Sequence, residues 1–151
     1  MTRSQILGTG HYVPPKVVTN FDLEKMMNTT DKFIVERTGV HRRRWAEPDQ
    51  SASDLGAEAA KAAVADAGVN MSDVDLLILN TITPDHADPG CAFFLQAKLG
   101  LAGIATYDIR QQCTGLIYGM ALADALIGTG QYRRALVVCA EMLSKRIDCS
   151  D

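Results

Sequence analysis

Two rhythms of apolar and polar positions alternate along this chain, and the switches between them predict its elements. Residues 76–79 form an unbroken apolar run between Asp75 and Asn80, the pattern of a strand buried on both faces of a parallel sheet. Residues 105–109 and 135–140 are two further β-prone runs. Helical spacing occupies the intervals between them: 92–99, stopped by Gly100, and 116–127, ahead of a turn at Gly128-Thr129-Gly130. Upstream, Ser53 is expected to cap a helix that carries Ala57, Ala60, Ala63, Val64 and Ala67 and stops at Gly68. Its small residues imply close packing on a sheet.

Nearer the N-terminus, residues 5–13 read as a first strand closed by Pro14-Pro15. Asn20 is expected to cap a short helix over 21–27, and Thr30 a second over 31–38 with Gly39 as its stop. Strands thus alternate with helices from residue 76 onward, which predicts an α/β fold: a layered parallel sheet with helices on both faces and right-handed crossovers. Ligands in such sheets lie beyond the carboxyl ends of strands. Two segments leave such ends, the loop 81–89 and the turn around Cys113.

Composition narrows the class. The chain has 151 residues, 47% hydrophobic and 22% charged, enough apolar material for one globular domain with a core. A net charge of −3 gives no electrostatic case for nucleic-acid binding. Residues 1–10 lack the apolar segment of an export signal, and the longest uncharged run, 111–123, is too short to span a bilayer. A cytoplasmic chain with no membrane span is therefore expected. Cys91, Cys113, Cys139 and Cys149 form no C-x-x-C pair and read as free thiols. Gly8-x-Gly10 opens a dinucleotide-binding pattern, but Val13 stands where its third glycine belongs. A nucleotide-binding oxidoreductase is set aside on that ground. The run Arg42-Arg43-Arg44 has the chemistry to hold a phosphorylated partner, although such runs are more often a solvated strand or loop face.

The candidate chemistry lies in Tyr107-Asp108-Ile109-Arg110-Gln111-Gln112-Cys113-Thr114-Gly115. A β-prone run enters this stretch and an apolar helix leaves it, so Cys113 falls on a strand-to-helix turn. Unpaired N–H groups and the helix dipole favour an anion there. Thiolate is the nucleophilic form of cysteine, and helix N-termini are among the places that lower its pKa. Gly115 leaves room for another backbone or a substrate to approach. The other reading of Cys113, and the one preferred for Cys91, Cys139 and Cys149, is a small buried core thiol.

Several spaced motifs resemble those of one family. They are Ile6-Leu7-Gly8-Thr9-Gly10-His11-Tyr12-Val13-Pro14, then Asn20 with Asp22-Leu23-Glu24-Lys25-Met26, and Ile34-Val35-Glu36-Arg37-Thr38-Gly39-Val40. Thr83-Pro84-Asp85-His86, Pro89, Asp108 and Cys113-x-Gly115 follow in order. With these the chain resembles the N-terminal half of a β-ketoacyl-[acyl-carrier-protein] synthase III, of the thiolase superfamily. The resemblance implies that residues 1–151 are one half of the duplicated αβαβα fold, with the C-terminal half absent from this chain. It also implies a condensing acyltransferase of fatty acid or polyketide initiation. An acyl-CoA acylates Cys113, and decarboxylative condensation with malonyl-acyl-carrier protein then gives a β-ketoacyl product. Coenzyme A enters as a thioester substrate, with no resident cofactor and no metal. The expected partners are acyl-CoA, acyl carrier protein, the C-terminal half as a second chain or missing segment, and a second copy in a homodimer.

Other residues follow from the same resemblance. Thr29, Phe33 and Arg37 match positions that line the nucleotide end of the coenzyme A tunnel. Phe33 stands where the best-known members stack a tryptophan on adenine; its alternative is a core aromatic. Asp88 replaces an apolar aromatic residue that shapes the acyl pocket across the dimer interface. It is either an acid or base in that pocket or a solvated loop residue. The family's decarboxylating histidine and asparagine belong to the second half, so His11, His41 and His86 are expected to be partly exposed bystanders. Two alternatives stand beside the main reading: head-to-head or small-molecule acyl condensation on the same fold, and a non-catalytic partner subunit.

Overall fold

The computed structural model describes residues 4–149. They form two compact units. The larger joins Ser51–Glu141 to the segment ending at Tyr12, and the smaller joins Val13–Gln50 to the segment beginning at Met142.

The larger unit is built on a three-stranded parallel sheet. Its strands β3 (Leu76–Asn80), β4 (Ala105–Ile109) and β5 (Ala135–Cys139) lie in the order β4-β3-β5, where labels count strands along the chain. Leu76 pairs with Ala105 and Ala135 at one end, and Asn80 with Ile109 and Cys139 at the other. All five residues of β3 are buried, as the unbroken apolar run requires of a central strand. Leu77 and Leu79 pack on one face with α3 (Ala52–Ala67) and α4 (Cys91–Lys98), through Ala57, Ala60, Ala92 and Leu95. Leu76 and Ile78 pack on the other with α5 (Gly115–Gly128), through Leu122, Ala123 and Leu126. Each fully buried Leu or Ile contributes about 1.5–3 kcal/mol, so this four-residue run anchors the layers on both sides.

The expected layering is therefore present, with differences in detail. Residues 5–13 do not form a strand. A Cβ on Gly8 or Gly10 would collide with the α3 backbone, at Ala67 and Ala63 respectively. The glycines let this segment lie directly on the helix, and Thr9 N–H donates to Asp66 at 2.8 Å. The cap of α3 is Ser51, not Ser53: Asp54 reaches back to accept from Ser51 N–H at 2.8 Å. Along β5, Leu136 and Val138 are buried while Cys139, its last residue on an outer strand of the sheet, is exposed.

In the smaller unit, β1 (Lys16–Thr19) pairs antiparallel with β2 (Arg42–Trp45). Between them run α1 (Asn20–Glu24) and α2 (Asp31–Thr38). Thr19, not Asn20, caps α1 through a reciprocal box with Asp22, with bonds of 3.2 and 2.9 Å. Asn20 is fully buried instead and donates to Asp31 and to the Val40 carbonyl. Thr30 caps α2 and Gly39 ends it in the left-handed conformation, as expected. The arginine run is used internally in part: Arg43 donates to Asn20 and Arg44 to the Pro15 carbonyl, while Arg42 is exposed. Ser150 and Asp151, the end of the polar C-terminal segment, lie outside the described residues.

Candidate active site

The place where the site forms follows from the sheet order. From β3 the chain passes to α4 on one face, and from β4 to α5 on the other. The carboxyl ends of β3 and β4 therefore flank the topological switch point, where open α/β sheets hold their ligands. Asn80 ends β3 and Ile109 ends β4.

Four residues past Ile109 comes Cys113, in a single 3-10 turn (Gln112–Thr114) that runs into α5. Its side chain is exposed. Just before it, Gln112 has a φ of 46°, the one non-glycine residue with positive φ among the described residues. Left-handed backbone costs a residue with a side chain about 1–3 kcal/mol. What offsets this is the side chain of Asn80, which is 2% exposed. Its Oδ1 accepts from Gln111 N–H at 2.9 Å and its Nδ2 donates to the Gln112 carbonyl at 3.2 Å. Two such bonds contribute about 0.5–1.5 kcal/mol each, comparable to the strain. A Cβ on Gly115 would overlap this same amide. The room expected at Gly115 is thus taken by the Asn80 side chain, not by a backbone or a substrate.

The loop after β3 is fastened at both ends. Glu141 accepts from Ile82 N–H at 2.9 Å and from the Thr83 hydroxyl at 2.8 Å. Asp85 accepts from Ser53 N–H at 3.0 Å and from the Ser53 hydroxyl, at the first turn of α3. Burial alone would raise the Asp85 carboxyl, but these hydrogen bonds outweigh it and hold it below the ordinary Asp value. Cys91 donates to Asp85 at 3.3 Å. It is 1% exposed, and burial pushes its thiol up to about 12, so it is the inert core thiol expected. Asp108 accepts from Ala92 N–H at 2.9 Å, in the first turn of α4, and desolvation raises its carboxyl above the ordinary value. The expectation of a core thiol fails for Cys139, which is exposed, and Cys149 is half-buried. Desolvation nonetheless raises the Cys139 thiol, partly countered by the Asn80 amide.

Asp88 is exposed in the loop between β3 and α4. Thr29, Phe33 and Arg37 belong to the smaller unit, Thr29 just ahead of the Thr30 cap and the other two one turn apart on α2. Phe33 is 54% exposed, so it is not a core aromatic, and the Arg37 guanidinium lies 5.5 Å from its ring centre. His11, His41 and His86 are all exposed; His86 packs on Phe94 at 5.0 Å. Local sequence pattern does not mark Asn80 and Asp85 as site-building residues. The signal for Asn80 was a polar residue closing a wholly apolar strand. Among the described residues no group of three His, Cys, Asp or Glu is placed to hold a metal ion. Nor is any helix among them long and apolar enough to cross a membrane.

Known proteins share this fold. The crystal structure of 3-oxoacyl-[acyl-carrier-protein] synthase III from Aquifex aeolicus superposes with a TM-score of 0.91 at 40% identity, over 97% of this chain and 47% of that one. The priming β-ketosynthase of the R1128 polyketide pathway superposes with a TM-score of 0.91 at 30% identity, over 97% and 44%. The fold is the thiolase-like α/β class. The family model for 3-oxoacyl-[acyl-carrier-protein] synthase III matches residues 107–151, the Cys113 turn included. The β-ketoacyl-[acyl-carrier-protein] synthase III of Caldanaerobacter subterraneus is 49% identical over 97% of this chain and 44% of its own length. Over 97% of its length the chain is similar to β-ketoacyl-[acyl-carrier-protein] synthase III proteins of the thiolase superfamily, matching an N-terminal fragment of them. It spans about half the length of the curated relatives it matches.

Proposed function

We propose that this chain carries the nucleophile of a condensing acyltransferase of the β-ketoacyl-[acyl-carrier-protein] synthase III type. The observation that carries the reading is the exposed Cys113 beyond the sheet's switch point, at the entry to α5 and behind a strained Gln112. In the proposed reaction the Cys113 thiolate attacks the acyl-CoA carbonyl carbon. A Cys113 sulfur–carbon bond forms, the coenzyme A sulfur–carbon bond breaks, and coenzyme A leaves as its thiolate. The Cys113 N–H is the proposed donor to the oxyanion of the tetrahedral intermediate. Malonyl-acyl-carrier protein then loses carbon dioxide, and its carbanion takes the acyl group from sulfur, giving the β-ketoacyl product.

Thr29, Phe33 and Arg37 are the proposed coenzyme A contacts, with Arg37 suited to a phosphate and Phe33 to a flat base. The reading keeps Asp88 as a residue to test in the acyl pocket. The decarboxylating pair is assigned to a second half, and three observations support that need. The relatives are about twice as long, no histidine of this chain matches that role, and α5 is apolar on its outer side as well. Leu116, Ile117 and Tyr118 are 47%, 62% and 55% exposed, where a helix apolar all round is normally buried. Cytoplasmic location and a homodimer complete the proposal.

The test is product analysis. With the second half present, acyl-CoA and malonyl-acyl-carrier protein should give a β-ketoacyl-acyl-carrier protein and carbon dioxide. A product joining two acyl chains head to head, or an acylated small molecule, would redirect the reading to another condensation. No product, with Cys113 unmodified, would leave a non-catalytic subunit.

A further inference from the structure

We propose that Asn80 is a positioning residue for the Cys113 nucleophile, acting as a clamp on the two residues before it; this rests on the acyltransferase reading above. Its amide makes a two-point contact with one short stretch of backbone, accepting from Gln111 N–H and donating to the Gln112 carbonyl. Those two contacts bracket the Gln112 dihedrals, the ones that set the direction in which the chain reaches Cys113. The clamp is mounted rigidly. The Asn80 carbonyl accepts from Ala140 N–H at 3.1 Å on the β5 side, and Thr81 N–H donates to the Ile109 carbonyl at 3.2 Å on the β4 side. Asn80 is 2% exposed, and its amide is pressed against Gly115, the first residue of α5. One side chain at the end of the central strand thus fixes both the entry to the nucleophile and the helix that follows it. A site held by a strand-end residue with satisfied hydrogen bonds keeps its geometry better than one left to a loop.

An apolar residue would serve the sheet at position 80 equally well, since the rest of β3 is apolar and buried. A buried amide at that position makes sense through its partners: besides the Cys139 thiol, which it also meets, they are the two backbone groups directly ahead of Cys113.

The experiment measures Cys113 acylation by acyl-CoA in Asn80→Ala and Asn80→Asp, with the second half present and rates taken per folded molecule. Asn80→Asp keeps the shape and the acceptor for Gln111 but loses the donor to Gln112, so it stands in if Asn80→Ala fails to fold. The expected result is a loss of acylation rate of about a hundredfold, the scale of a misplaced reacting group, with KM for acyl-CoA unchanged. A merely structural Asn80 would lower thermal stability and leave the acylation rate per folded molecule at the wild-type value, and that result overturns the proposal. If wild-type Cys113 takes no acyl group, the acyltransferase reading fails separately. The clamp is then judged by iodoacetamide at Cys113: slower labelling of Asn80→Asp sustains it, and wild-type labelling overturns it.

Discussion

The Asn80 side chain occupies the space that a Cβ on Gly115 would need. Gly115 has an ordinary helical φ of −58°, so it is glycine for room and not for conformation. Alanine is a better helix former than glycine by about 1 kcal/mol, yet overpacking costs about 1–3 kcal/mol, so the overlap wins. Gly115→Ala should therefore destabilise the protein in chemical denaturation. Adding Asn80→Ala removes the atoms that collide, so the double variant should recover part of the loss, with a coupling of about 0.5–3 kcal/mol. Strictly additive losses would contradict the packing described.

Asp85 gives the larger unit a pH dependence with a definite sign. Burial raises its carboxyl, but the hydrogen bonds from Ser53, Ser51 and Cys91 together outweigh burial and hold it below the ordinary Asp value. The stabilisation is therefore fully present above the unfolded pKa, about 3.9, and is lost as pH falls through the lower folded value. Asp108, whose carboxyl is raised by desolvation, acts the other way: stability declines as pH rises from the ordinary value through the raised one. Asp85→Asn should cost about 1.5–3 kcal/mol at neutral pH, the worth of hydrogen bonds to a charged group. It should also flatten the acid limb of the stability profile. An acid limb as steep as wild type would contradict the assignment.

What was legible in the sequence was what local pattern decides. The apolar run became β3, its predicted neighbours became β4 and β5, and the Thr30 and Gly39 signals bounded α2 as read. Cys113 falls on the strand-to-helix turn for the same reason. Most of the misreadings share one cause, a partner far away in sequence; Cys139 differs, being exposed as the last residue of an outer strand. Residues 5–13 have strand-like composition, but a strand exists only through a pairing partner. Among the described residues this segment instead lies against α3. β1 carries no clear local signal because it is defined by β2, where Lys16 faces Trp45. Ser53 has the chemistry of a cap, yet its hydroxyl is taken by Asp85, 32 residues on. Asn80 read as the polar flank of a strand, since its partners lie at Gln111 and Gln112.

Arg37 and Phe33 share one face of α2, 5.5 Å apart from guanidinium to ring. If they hold the nucleotide of coenzyme A, Arg37→Ala should raise KM for acyl-CoA about tenfold to a hundredfold, the worth of a charge-assisted bond. With the acyl group seated as before, kcat should hold. Phe33→Ala should move KM in the same direction by less. Unchanged KM in both variants would remove α2 from the substrate site.

The most direct measurement is the intact mass of the Cys113 peptide after incubation with an acyl-CoA, with the second half present. The expected result is a mass gain of one acyl group on Cys113, none on Cys91, and no gain in Cys113→Ser. An unmodified Cys113 in protein shown to be folded, or an acyl group carried on another residue, would contradict it.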